Sequence, residues 1–209
     1  MEQNKIVSEE MELLNFNAGW EVAEFEKVSV DQFKEDMRRL YPKHEFDDEY
    51  LEIMWRNIEL PRRKTHGSAG YDFFAPFSFD IMPGSWIWIP TGIRAVFKED
   101  TNVALVCFAK SGHGTATGIR PANLLPLIDS DYHKAPNEGH ILIKLMYPAN
   151  PANESHAFKW GEPLDVDNIQ YHFEEGKSFM QGVFLPYGIT TSDANDIKEK
   201  RIGGFGSTN

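Results

Sequence analysis

At 209 residues the chain is long enough for one full core with appendages, and its 41% hydrophobic and 13% aromatic content describes a globular protein. No apolar run approaches the roughly 20 residues that span a bilayer, and Met1–Lys5 opens no basic-then-apolar leader, so a cytoplasmic location is expected. The formal charge of -11 argues against nucleic acid as a partner, and the lone Cys107 excludes an intrachain disulfide or a cysteine-built zinc site.

The charge is uneven. Residues 1–60 hold 7 Lys and Arg against 16 Asp and Glu, whereas the remainder holds 14 against 16. That near-neutral remainder is the part suited to an anionic small molecule. The acidic segment 1–58 reads as a helical N-terminal extension. Ser29 or Asp31 caps a predicted helix over Gln32–Leu40, in which Phe33, Met37 and Leu40 recur at helical spacing, and Pro42 ends it. A second helix is predicted through Asp47–Asn57, with Tyr50, Ile53, Met54 and Asn57 on one side.

From Pro61 the texture changes to short β-rich runs: Trp86–Ile89, Ile93–Phe97, Val103–Ala109, Ile141–Tyr147 and Phe179–Tyr187. Turn signals such as Pro83-Gly84 and Thr91-Gly92 divide them. Many short strands without alternating helices predict a mainly β barrel or sandwich over residues 59–209. Residues 148–176, a looser stretch with Pro148, Pro151 and Pro163, read as an excursion from this core.

Several constellations carry polar groups able to do chemistry. Asp129 and Asp131 flank Ser130 behind the apolar lead-in Leu124-Leu125-Pro126-Leu127-Ile128, which predicts partial burial and water activation near neutral pH. A solvated hairpin tip is the competing reading; the ligand spacing of a calcium loop is missing. Lys110-Ser111-Gly112 follows the apolar run 103–109 directly, offering a cation, a hydroxyl and an unobstructed N–H to an anion. His113 has no partner at a recognisable spacing and reads as a surface histidine. Asp72 stands among small and apolar residues, either as a turn cap or as an acid near a metal. The terminus Gly203–Asn209 is a glycine-rich tail, or a flap that brings backbone N–H groups and the Phe205 ring to a nucleotide.

In this order the segments resemble the trimeric deoxyuridine triphosphatase (dUTPase) family, over roughly Pro61–Asn209. The five segments are Gly67–Asp72, Lys110–Gly112 running on to Asn123, Leu127–Tyr132, Gly176–Gln181 and Gly203–Thr208. The second segment carries Lys110 where the family usually has arginine. The fifth is preceded by Lys200-Arg201.

The resemblance implies a dUTPase-like jelly-roll core assembled as a homotrimer, with active sites shared between subunits. It implies hydrolysis of dUTP to dUMP and pyrophosphate, with Asp129 activating the attacking water and Mg2+ held over the phosphates, Asp72 acting through the ion's water. Lys110, Ser111, Gly112 and Gln181 would line the phosphate chain. Asn123, Leu127 and Ile128 would read uracil, and Tyr132 would pack under the deoxyribose. Arg201, Phe205, Gly206 and Ser207 would close over the nucleotide. Two other readings accompany this one: a related dCTP deaminase, and a nucleotide-gated module that engages a protein partner through the extension or through the insertion 133–176, where the chain is longer than the compact family pattern.

Overall fold

The computed structural model describes residues 21–99, 101–149, 158–159, 162–163 and 170–192. The predicted tail residues Arg201, Phe205, Gly206 and Ser207 lie outside the described residues. The fold is mainly β, as expected.

The first element of the described residues is strand β1 (Ala23–Lys27), in a segment that the sequence predicts as helical. Helix α1 (Val30–Leu40) follows, its N-cap Ser29 accepting from the Gln32 N–H. Phe33 and Met37 face inward, as their spacing predicts, and both are fully buried. Helix α2 (Asp48–Asn57) is capped by Asp47 and buries Leu51 and Met54. The predicted face of α2 is therefore rotated: Tyr50 and Ile53 point to solvent. Helix α2 lies beside α1 with Leu51 and Met54 turned into the core, and Lys34 of α1 reaches Glu52 at 2.7 Å, which sets the face that α2 buries.

The remaining strands are β2 (Arg62–Arg63), β3 (Tyr71–Phe74), β4 (Phe79–Ile81), β5 (Trp86–Pro90), β6 (Ile93–Phe97), β7 (Val103–Ala109), β8 (Arg120–Pro121), β9 (Leu127–Ile128), β10 (Leu142–Met146), β11 (Phe158–Lys159), β12 (Glu162–Pro163), β13 (Tyr171–Phe173) and β14 (Ser178–Pro186). A short helix α3 (Ser111–Thr117) leaves the end of β7, where the sequence offered only a glycine-bearing loop. The largest sheet has the order β2-β3-β14-β7-β9 and a second has β5-β10-β8; β1 pairs with β6, and β4 with β13. Neighbouring strands are antiparallel throughout, and successive antiparallel strands covering one core make a jelly-roll type of architecture.

Residues 22–58 share this core. Phe25 of β1 packs on Tyr71 at 5.3 Å, on Phe73 at 5.5 Å and on Phe184 at 5.5 Å between ring centroids. Val28, Phe33 and Leu51 are completely enclosed. Burying each such side chain contributes about 1.5–3 kcal/mol, so this segment is part of what holds the β strands together. Cys107 lies in the middle of β7, fully buried, and burial pushes its thiol up to about 12. No helix among the described residues is long and apolar enough to cross a membrane.

Candidate active site

Three of the sequence-predicted residues converge on one point. Asp72 stands on β3, Gln181 on β14 and Lys110 at the cap of α3, just past β7. Gln181 Nε2 donates to Asp72 Oδ1 at 2.9 Å, and Lys110 Nζ donates to Oδ2 at 3.0 Å. Burial on its own would raise the Asp72 carboxyl. The hydrogen bonds from Gln181 and Lys110, together with the lysine's charge, outweigh it and hold the group below its ordinary value. A registry change in β14 between Ser178 and Met180 brings Gln181 opposite Asp72. Gly70 leaves room beside them; a Cβ there would touch the Gln181 side chain at 3.5 Å.

Lys110 also begins the helix whose first N–H groups have no intrahelical partner. Ser111 and Gly112 are exposed there, with open space where a Gly112 side chain would be. The carbonyl of Lys110 accepts from the His113 and Gly114 N–H groups. His113 is not the surface histidine the sequence suggested. Its Nδ1 meets the Tyr171 hydroxyl at 2.8 Å, its Nε2 meets the Ser178 carbonyl at 3.0 Å, and its ring lies against Phe173. It braces α3 against β13 and β14. A cleft of about 440 Å³ opens beside it, lined by Lys110, Gly112, His113, Tyr171, Lys177 and Ser178 among others.

The third segment is built elsewhere. Asn123 lies on the exposed turn between β8 and β9, whose Leu124 adopts a positive φ of 63°. The apolar lead-in is only partly enclosed within the chain: Leu124, Leu125 and Leu127 are exposed, Ile128 is buried, and Asp129 is half-buried. The Asp129 carbonyl accepts from the Tyr132 N–H at 3.0 Å, closing the turn that leads into a 3-10 helix at Tyr132–Lys134. Tyr132 is buried; its hydroxyl donates to the His140 carbonyl at 3.1 Å and accepts from Asn137 Nδ2 at 3.0 Å.

The two groups stand at opposite ends of β7. Ile128 pairs with Leu105 and Leu127 with Val106, so Asp129 emerges beyond Ala104. Lys110 sits past the other end, next to Ala109. At ~3.3 Å per residue the rise from Ala104 to Lys110 is about 20 Å. Asp72 and Gln181 are displaced further across the sheet.

No family model matches the chain. Curated relatives do. The deoxyuridine 5'-triphosphate nucleotidohydrolase of Lactococcus lactis is 33% identical over 152 residues, covering 72% of this chain and 88% of the relative. The protein belongs to the dUTPase family. The Haemophilus influenzae enzyme of the same name is also 33% identical, over 154 residues, covering 70% of this chain and 85% of its own length. In fold, the crystal structure of dUTPase from Streptococcus mutans superposes with a TM-score of 0.51 at 24% identity, covering 79% of this chain and 97% of that one.

Among the described residues, no group of three or more His, Cys, Asp or Glu side chains gathers to hold a metal ion. Asp72 is the carboxylate on which Lys110 and Gln181 meet. Both its oxygens already receive donors, and Lys110 stands against it. Such a carboxylate accepts a hydrogen bond from an ion's water more readily than it takes a bare cation. That suits Mg2+, which keeps several waters and leans on substrate phosphates.

Two residues of consequence escaped the sequence reading. His140 is wholly enclosed with Nδ1 2.7 Å from Asp36 Oδ2, and its Nε2 accepts the Gly92 N–H at 2.8 Å. The partners are 104 positions apart, and no local spacing announces them.

Proposed function

We propose that this protein hydrolyses dUTP to dUMP and pyrophosphate. The observation that carries the reading is the meeting of Asp72, Lys110 and Gln181 in a chain of this family. A triphosphate laid along the end of β7 and the start of α3 would meet the Lys110 ammonium, the Ser111 hydroxyl and the N–H of Gly112. Gln181 has one amide hydrogen bonded to Asp72 and a second to give to a phosphate oxygen. Bound Mg2+ would supply charge neutralisation over the phosphates, with Asp72 accepting from its water shell.

In the reaction the oxygen of water forms a bond to the α-phosphorus while the bond from that phosphorus to the bridging oxygen breaks. The bridging oxygen leaves with pyrophosphate, and the proton of the water passes to the Asp129 carboxylate. A positioned base of this kind contributes ~10²–10⁴-fold. Aligned donors on the developing charge carry most of the remainder. Asn123 and the Leu127–Ile128 backbone are assigned to uracil, Tyr132 to the deoxyribose, and Arg201, Phe205, Gly206 and Ser207 to closure over base and γ-phosphate, by likeness to the family. A distance of about 20 Å along β7 is too long for Asp129 and Lys110 of one chain to serve one α-phosphorus. We therefore infer that each site is completed by Asp129 of one copy and Lys110 of another, within the homotrimer that the likeness to the family implies.

The test is pyrophosphate release from dUTP with Mg2+. Asp129→Asn is expected to lower kcat at least ~100-fold while leaving the melting temperature near that of the parent. An Asp129→Asn protein that turns over at the parental rate removes the mechanism.

A further inference from the structure

We propose that Asp36 of α1 is a positioning residue for the hairpin that follows Asp129: acting through His140, it fixes where Tyr132 stands. The inference rests on the proposed role of Tyr132 beneath the sugar, and it deepens that role.

The chain of contacts is short and continuous. His140 Nε2 accepts the Gly92 N–H, so that nitrogen carries no proton. The imidazole proton therefore sits on Nδ1, where it is donated to Asp36 Oδ2. The carbonyl of the same residue receives the Tyr132 hydroxyl. Asp36 is itself aimed by its own helix: Gln32 Nε2 donates to Oδ2 at 2.8 Å, and Arg39 Nε donates to Oδ1 at 3.1 Å. With Arg39 Nη2, which also donates to Oδ1 at 2.5 Å, four donors fix the orientation of one carboxylate that is buried to 1% exposure.

A second clamp lies beside the first. The Ser29 N–H donates to Glu138 Oε2 at 2.8 Å and the Ser29 hydroxyl donates to Oε1 at 2.6 Å. Between the clamps the loop has no slack. Glu138 and Gly139 both adopt positive φ, at 56° and 73°. A Cβ on Gly139 would lie 2.8 Å from the Tyr132 carbonyl oxygen. A loop this tight passes a displacement of His140 directly to the Tyr132 ring.

Helix α1 is outside the five family-like segments, yet it grips the loop from Tyr132 to His140 at two points. A ring held as a steric wall discriminates only while its position is fixed; relaxing it admits the larger sugar.

The experiment uses the full chain and the variants Asp36→Asn and Glu138→Gln, with Arg38→Gln on the outer face of α1 as control. Amide hydrogen exchange is followed at Gly92 and across residues 132–140. Steady-state rates are measured with dUTP and UTP. In Asp36→Asn we expect the Gly92 N–H to lose protection, kcat for dUTP to fall roughly tenfold or more, and the preference for dUTP over UTP to shrink. Glu138→Gln should shift the same readouts by less, and Arg38→Gln none of them. A folded Asp36→Asn protein with parental exchange, kcat and sugar discrimination overturns the inference. Should Asp36→Asn fail to fold, Glu138→Gln carries the same test, and parental values there overturn it. A parent without dUTP turnover would refute the proposed function; unchanged exchange over residues 132–140 in the variants would then refute the coupling separately.

Discussion

Gln181 stands directly across from Asp72, and it does so because β14 slips by one residue between Ser178 and Met180. Without that slip Met180 would face the carboxylate, since a one-residue change of register exchanges the two faces of a strand. A buried acid would then meet a thioether in place of an amide. The bulge places a hydrogen-bond donor where the acid needs one.

Substituting Gln181→Met removes one of the two donors that hold Asp72. We expect a loss of about 1–3 kcal/mol near neutral pH, read as a fall of ~2–4 °C in Tm per kcal/mol for a chain of this size. The sign with pH follows from the depressed Asp72 carboxyl. Its stabilisation is present above the ordinary carboxylate value and is lost as pH falls through the folded-state value. The parent and variant melting curves should therefore converge in acid.

If sites are shared between copies, Asp129→Asn and Lys110→Met should each be inactive alone. Mixed by co-refolding, they should regain a fraction of parental pyrophosphate release, because some sites then draw an intact residue from each chain. Mixtures as inactive as either component would show that one chain supplies both groups.

The Asp36 carboxyl provides an acid-stability test. Burial opposes its charge, but hydrogen bonds from His140, Arg39 and Gln32 lower it from 3.8 to about 2. A shift of that size corresponds to about 2 kcal/mol of stability above pH 4 that fades as pH drops toward 2. Urea midpoints of the parent should fall through this window. Those of Asp36→Asn should start lower and respond less.

Gly92 joins three parts of the fold. Its carbonyl accepts the Val28 N–H, its own N–H reaches His140, and a Cβ there would run into Ile58 Cδ1. At φ +71° an L side chain is strained as well. Gly92→Ala should cost roughly 1–3 kcal/mol, seen as a lower Tm. Ile58→Ala in the same chain should cost less than it does alone, because the two changes share one space. For the same reason, removal of residues 1–45 should prevent folding, as read by circular dichroism, since Phe25, Val28 and Phe33 leave the core with them.

Strong local signals were legible in the sequence. The runs over 86–89, 93–97 and 103–109 became strands at nearly the expected residues, and Ser29, one of two candidate caps, caps α1, while Asp47, expected as the first residue of the second helix, is its cap. Asp72, Lys110 and Gln181 were named from their segments and do meet. What stayed hidden depends on contacts distant along the chain. β1 is a strand because β6 pairs with it, Glu24-Phe25-Glu26 being as compatible with a helix end. The α2 face follows from its packing beside α1, and α3 forms from a stretch holding two glycines because Lys110 and His113 are anchored by neighbouring strands. The link between Asp36 and His140 has no signature in either neighbourhood.

The sealed thiol of Cys107 has a practical consequence. A group pushed up to about 12 and shut away from solvent presents almost no thiolate to alkylating reagents. Native protein should leave Ellman's reagent colourless, whereas guanidinium-unfolded protein should release one equivalent of dye per chain. A cysteine engineered at an outward position such as Tyr50 would then be the sole handle for a fluorophore, without any need to edit the native sulfur.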